Sequence, residues 1–352
     1  MGKLAVYKYI SFLMLCLSCL VSIMTLFGLF GGSVSPIGNT AMAMLVYVLP
    51  LLIVFNILFL IYWLIRRRWH WLMVPLITLL CCIPYSRTLF QPHLFSSSDT
   101  EAKSGIKFST YNVAAFGRET SGFKAEDILA EMKKQNVDVL CIQEYNNYIG
   151  DKKISDNYKE YFPYIATGLE DMVIYSRYPI KEKQTIAFDQ SNNSAMWADV
   201  DIHGHVIRVF NVHLETTGLN RTLHRIAKLQ SKGLNLSDSK ILDAIYGNYT
   251  LGIMARTGQA NMVANEIRMA NKPVVVCGDF NDVPYSYVYN TMLGNLVDGF
   301  KECGSGLMYT FRSRSVRIDY IFHSESLKGI TYYKLEHNYS DHFPVFMKIA
   351  ID

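Results

Sequence analysis

The sequence predicts an α/β sandwich behind an apolar, membrane-anchoring front, and three observations predict it. Half of the 352 residues are hydrophobic, and that excess is concentrated at the N-terminus. Beyond it, short apolar runs with strand patterning alternate with amphipathic helical ones, the mixture expected of an α/β fold with helices outside its strands. Finally, one apolar run after another ends in a polar cluster, so the strands would carry all the clusters to a common rim.

The front comes first in the chain. Ile10–Phe30 and Ala41–Ile65 are almost purely apolar and long enough to cross a bilayer, which takes about 20 helical residues. A third run, Trp69–Tyr85, is shorter and interrupted by Pro75. Trp69, Trp71 and Tyr85 stand where interfacial aromatics stand at the two ends of a span. This leaves two readings, a third crossing near residues 69–89 or a re-entrant segment. Lys3, Lys8 and the triplet Arg66–Arg68 flank the spans on one side, while Gly31–Thr40 carries no charge. The bias of basic residues towards the cytoplasm keeps the N-terminus inside. Three spans then put the following domain on the extracytoplasmic side, and two keep it in the cytoplasm. A cleavable signal ending near Ala41–Ala43 is the competing view, but it would leave the second span attached.

Residues 1–95 are therefore expected to form the anchor, 96–105 a polar, small-residue linker, and 106–352 the folded domain. In the domain, Ile106–Val113 alternates as a strand, Lys124–Asn136 is helical, and Val137–Ile142 reads as a buried strand. Strands follow at Met172–Tyr175, Ala195–Ile202, Val206–Val212, Val274–Cys277, Ile318–Phe322 and Val345–Ile349. Helices are expected over Leu223–Leu236, Thr257–Ala270 and, in a short piece, Ser286–Leu293. Asn220–Leu251 is the least assignable part, equally readable as a cover over a cleft or a surface insertion.

Charge and cysteines narrow the function. Seven of the 34 basic residues and two of the 30 acidic ones precede Ser104, which leaves 27 against 28 in the domain, a formal charge of −1. Non-specific grip on duplex DNA normally comes with a basic excess, and the domain lacks one. Cys16, Cys19, Cys81 and Cys82 fall in the apolar front, while Cys141 and Cys277 fall in strands and Cys303 follows them. No disulfide framework or metal-like spacing results.

The polar clusters are Thr110–Val113 (TYNV), Ile142–Glu144 (IQE), Asn211–Glu215 (NVHLE), Gly278–Asn281 (GDFN), Arg317–Phe322 (RIDYIF) and Tyr339–Val345 (YSDHFPV). In that order they resemble the endonuclease/exonuclease/phosphatase superfamily, the DNase I-like metal-dependent phosphoesterases. The resemblance covers about 70% of the chain, from Gly105 onwards, and implies two stacked sheets flanked by helices.

It also implies roles. Glu144 is the expected metal ligand, with Asn112 beside it and Asp341 near a second metal or its water. Mg²⁺ is the implied ion, with Mn²⁺ as the alternative, because hard cations take oxygen ligands and keep several waters. Asp279 would orient or deprotonate the attacking water, and Asn281 would donate to the phosphoryl oxygen. Gly278 would give the backbone a sharp exit from its strand. Asp319 would fix the tautomer of His342, and His213 matches a second histidine of the family, with Glu215 expected to orient it. Arg177 is a supporting candidate or a turn residue. Some apurinic endonucleases of the family carry a further acid where this chain has Ala114, which argues against that activity. The expected function is a membrane-anchored phosphoesterase, with a lipid head group or other small phosphoester favoured over nucleic acid. An extracytoplasmic nuclease and a non-catalytic phospho-ligand or protein-binding module are the alternatives; no protein partner is inferable.

Overall fold

The computed structural model describes residues 2–92, 105–117, 125–145, 152–169, 171–232 and 237–351. Most of the expected linker, 96–104, lies outside the described residues. By internal packing the chain divides into one unit of Met1–Thr88 with Pro284–Asn290 and another of Leu89–Val283 with Thr291–Asp352.

The first unit is helical: α1 (Gly2–Gly31), α2 (Thr40–Ile65), α3 (Trp69–Cys81) and α4 (Ile83–Leu89). Its polarity is inverted relative to a soluble bundle. Phe12, Phe30, Leu51 and Ile65 are exposed, while Ser11, Ser18, Ser22 and Thr25 form a buried face of α1. The Asn56 amide of α2 donates to Thr25 Oγ1 (2.8 Å) and accepts from Ser22 Oγ (2.8 Å). Small polar residues between apolar helices are the packing of membrane segments. α1 and α2 are candidate membrane spans by length and composition. The expected third span is two helices, bent by 48° between α3 and α4. At 13 residues, α3 is about 20 Å long at roughly 1.5 Å per residue, short of the roughly 30 Å hydrocarbon core on its own.

The second unit begins with β1 (Phe90–Gln91), β2 (Ile106–Asn112), α5 (Ala114–Gly117), α6 (Ala125–Lys134), β3 (Val139–Gln143) and α7 (Lys152–Tyr161). It continues with β4 (Tyr164–Thr167), β5 (Val173–Ser176), β6 (Ile180–Ala187), β7 (Ser194–Ile202), β8 (His205–His213), α8 (Leu219–Ser231), α9 (Asp238–Met269) and β9 (Val274–Asp279). After α10 (Tyr287–Leu293) come β10 (Val297–Asp298), α11 (Gly299–Cys303), β11 (Gly306–Leu307), β12 (Asp319–His323), β13 (Lys328–Lys334) and β14 (Val345–Ala350).

Two six-stranded sheets result, ordered β13-β14-β2-β3-β5-β4 and β10-β12-β9-β8-β7-β6. Each has a parallel pair at its centre, β2 with β3 and β8 with β9, and antiparallel neighbours outside. Alternation divides the core. Val139 and Cys141 join Phe108, Val209, Val275, Cys277 and Ile321 in one cluster. Leu140 and Ile142, pointing the other way, pack with Ile128, Leu129 and Met132 of α6.

Three departures from the expected elements have physical causes. β4, β6 and β13 were not anticipated, and each closes the edge of a sheet. Such strands are half-wetted, and β6 and β13 are charged, which blunts edge pairing and hides them from a search for apolar runs; β6 is exposed over most of its length. The segment 220–251 is mostly helix, because α9 begins at Asp238 rather than near Thr257; Leu223–Leu236 is α8, ending at Ser231, with 233–236 outside the described residues. Gly278 does not turn the chain. It sits inside β9 at φ +154°, and a Cβ there would lie 2.0 Å from Val212 O, so its role is close approach to β8.

Candidate active site

Strand register brings the polar clusters together. The parallel strands end level with one another: Asn112 of β2 is opposite Gln143 of β3, and His213 of β8 opposite Asp279 of β9. Ligands of parallel strands collect at such carboxyl ends. The antiparallel neighbours start where those strands stop. Asp319 of β12 pairs with Asp279, Val173 of β5 with Ile142, and Val345 of β14 with Thr110. The residues just before β5 and β14, Asp171 and Asp341–His342, therefore join the same rim.

Two arms of the form acid–histidine–acid meet there. His213 Nδ1 bonds Asp171 Oδ2 at 2.7 Å, and its Nε2 lies 3.8 Å from Glu144 Oε1. His342 Nδ1 bonds Asp319 Oδ2 at 3.0 Å, and its Nε2 lies 3.7 Å from Asp279 Oδ2. The Asn112 amide joins the arms, donating to Glu144 Oε1 (2.9 Å) and Asp279 Oδ2 (3.1 Å). Each histidine–acid pair has one member from each sheet. Beneath them the sheets are tied by a buried amide pair, Gln143 Nε2 donating to Asn211 Oδ1 at 2.6 Å.

The electrostatics follow from burial and partners. Burial works against the charge on His213, but Asp171, then Asp279 and Glu144, outweigh it and push its pKa up to about 9. Burial also opposes the charge on His342, yet Asp319 and Asp279 push it up to about 10. Both imidazoles are thus cations at neutral pH. Asp279 is raised above the usual carboxylate range, by burial first and by Asp319 second. Its Oδ1 accepts the Asn281 N–H at 2.8 Å, and Asn281 gives its amide to Leu214 O at 2.8 Å. Glu144 and Asn281 both hold left-handed backbone, φ +53° and +51°, strain of the kind that collects at functional sites.

Not every expected residue joins the site as anticipated. Arg177 follows the last residue of β5, which runs away from the rim, and pairs with Asp138 at the far end of β3 (2.9 Å). Glu215 does not orient His213; its carboxylate accepts from Ser191 Oγ at 2.5 Å, and Asp171 takes the expected role. Asn112 accepts the Ala114 N–H on its oxygen (3.0 Å), so its nitrogen braces the two carboxylates. Asp341 lies half-buried on the loop before β14. Sequence reasoning missed Asp171, although its signal was present: it is an acid at the start of an apolar strand, as Asp319 is. It also missed the network that seats the catalytic loops, in which buried Arg256 of α9 bonds Asp282 Oδ2 (3.1 Å) and Glu215 O (3.1 Å).

The donor set suits a hard cation. Glu144, Asp171, Asp279, Asp319 and Asp341 face only two imidazoliums, and among the described residues none of the five pairs with Lys or Arg. Asp279, Asp319 and His342 offer ligand atoms within 4.8 Å of one another. Glu144, with its side chain 41% exposed, is the open carboxylate.

A model of the endonuclease/exonuclease/phosphatase family matches residues 109–342. The chain belongs to that family. Endonuclease/exonuclease/phosphatase proteins are phosphoric ester hydrolases, generally dependent on divalent metal, and this chain is such a hydrolase by membership. A second model, a domain of unknown function (DUF8431), matches residues 11–89. Among solved structures, a family protein of Beutenbergia cavernae aligns with TM-score 0.52 at 18% identity, over 70% of this chain and 71% of that one. One of Bacteroides vulgatus aligns with TM-score 0.52 at 17% identity, over 71% of this chain and all of that one. These show the shared DNase I-like fold. The CCR4-Not complex 3'-5'-exoribonuclease subunit Ccr4 of Phaeosphaeria nodorum is 25% identical over 260 residues, 58% of this chain. The match spans 43% of that relative's length.

Proposed function

We propose that this protein is a Mg²⁺-dependent phosphoesterase, tethered to a membrane by residues 1–95 through the linker 96–105, that cleaves a lipid head group or other small phosphoester with domain 106–352. The observation that carries it is the pair of acid–histidine–acid arms bridged by Asn112 at the carboxyl ends of both parallel strand pairs. Glu144 would hold the cation, with Asp341 at a second metal or a metal-bound water, and the chemistry supplied is to neutralise charge on the phosphoryl oxygens.

The protein's own groups do the rest. Asp279, with its pKa raised and its oxygens fixed by Asn281 and Asn112, is matched to accept a proton from the attacking water. Asp319 holds the His342 imidazolium with Nε2 turned to the centre, where it stabilises negative charge on the phosphoryl group. His213 is held the same way by Asp171, and its buried Nε2 has no hydrogen-bond partner among the described residues. It is poised to donate to an anionic oxygen or to the leaving group. Asn281, seated by Leu214 O, supports the water side of the reaction.

The exoribonuclease relative supports a second reading, cleavage of nucleic acid; the domain's formal charge of −1 speaks against it. The test is hydrolysis by the full chain, with Mg²⁺ and with EDTA, of phospholipids, inositol phosphates, nucleotides and nucleic acid. Glu144→Gln should reduce turnover by orders of magnitude with the thermal transition retained. Full activity in EDTA, or in that variant, overturns the proposal, and selective nicking of DNA or RNA establishes the second reading.

A further inference from the structure

A cleft of about 570 Å³ lies between α8, the first half of α9 and the loop that follows β8. That volume is in the range of small-ligand sites. Glu215, two residues after His213 in the chain, lines its floor. α9 lies directly on this floor: a Cβ at Gly252 would meet Thr216 O at 2.5 Å. The loop is pinned from the same helix, Gln259 Oε1 accepting the Glu215 N–H at 2.7 Å.

The walls are largely apolar, with Ile226 and Leu229 on α8 and Ala244 and Leu251 on α9. Arg225 lines the cleft, is exposed and forms no ion pair with the described residues. α8 carries Arg221, Arg225 and Lys228 and no acid. Around the cleft, Leu223, Leu242, Tyr246, Leu251 and Met254 are exposed, at 39–67% of their surface. A helix pair with one basic member and bare apolar residues has the make-up of elements that work at a lipid surface.

We propose that this cleft takes the acyl chain of a phospholipid substrate, Arg225 meeting the anionic head group whose phosphoester reaches the arms beside Glu215. The inference deepens the phosphoesterase reading and rests on it. Ala244 and Leu251 are exposed on α9 and belong to no catalytic group, so Ala244→Trp fills the cleft and Leu251→Asp makes it polar at little cost to folding. The full chain in amphipol is given dihexanoylphosphatidylglycerol below its micelle concentration and, separately, bis(4-nitrophenyl) phosphate, which has no acyl chain. Each variant should raise KM for the lipid about tenfold or more, the scale of a few lost methylene contacts, and leave bis(4-nitrophenyl) phosphate kinetics unchanged. Equilibrium binding of the lipid in EDTA should weaken by the same factor. Unchanged lipid KM and binding in both variants overturn the cleft, as does an equal loss on both substrates. If the unaltered chain hydrolyses neither substrate, the phosphoesterase reading fails, and the binding titration in EDTA still decides the cleft.

Discussion

His213 and His342 are matched cations, each with Nδ1 on one carboxylate and Nε2 near a second. Charge at Asp171 is what keeps His213 protonated. Asp171→Asn keeps the shape and removes that charge. The His213 midpoint should fall from about 9 towards the ordinary histidine value of about 6.5, read by NMR titration, and turnover should drop by roughly tenfold to a thousandfold. An unmoved midpoint would show that Glu144 and Asp279 suffice. The same shifts make stability depend on pH. Both histidines have folded pKa values above the unfolded one, so their contribution is complete below pH of about 6.5 and is lost as pH rises through about 9 and 10. In EDTA, the thermal midpoint should therefore decline across that alkaline window, and less so in Asp171→Asn.

At the scale of elements, one rule builds the rim: parallel strands give their last residue or the one after it, and antiparallel neighbours give their first residue or one within four positions before it. Gly278 is where that geometry is tightest. Gly278→Ala would press a methyl against Val212 O and should cost about 1–3 kcal/mol as overpacking, added to strain from its positive φ. Denaturant unfolding measures it; a neutral result would mean that β8 and β9 can part without penalty. The central strands were legible in the sequence because burial on both faces makes them continuous apolar runs, and the residues at their ends came with them. The edge strands were not, because one side faces water. Asp171 was missed because an acid just ahead of a strand is a common surface residue, and its bond to His213 joins two sheets whose stacking the sequence does not show. Arg177 misled because its neighbourhood is distinctive while the direction of its strand is not written in the sequence. Asn220–Leu251 resisted assignment because α9 through Thr250 buries no residue, so its periodicity is faint.

For the whole molecule, the proposed anchor raises the question of which side of a bilayer the hydrolase would serve. Basic residues Lys3, Lys8 and Arg66–Arg68 stand on one side of α1 and α2, with none between Gly31 and Thr40, and the proposal of an extracytoplasmic domain then depends on α3 and α4 crossing as one bent span. Alkaline phosphatase, active only when exported, fused after Ser98 should be active in a bacterial host. An inactive, stably expressed fusion there, with an active one at Ser35, would mean two spans and a cytoplasmic domain. Whichever side it serves, the arms draw on both sheets: Asn112, Glu144, Asp171 and His342 from one, His213, Asp279 and Asp319 from the other. Their order along the chain is also spread out, from Asn112 early to His342 late. A ribosome has therefore delivered the helical front, and nearly all of both sheets, before the last imidazole exists. An anchor of the kind proposed would thus reach its membrane before the site could cut any phosphoester.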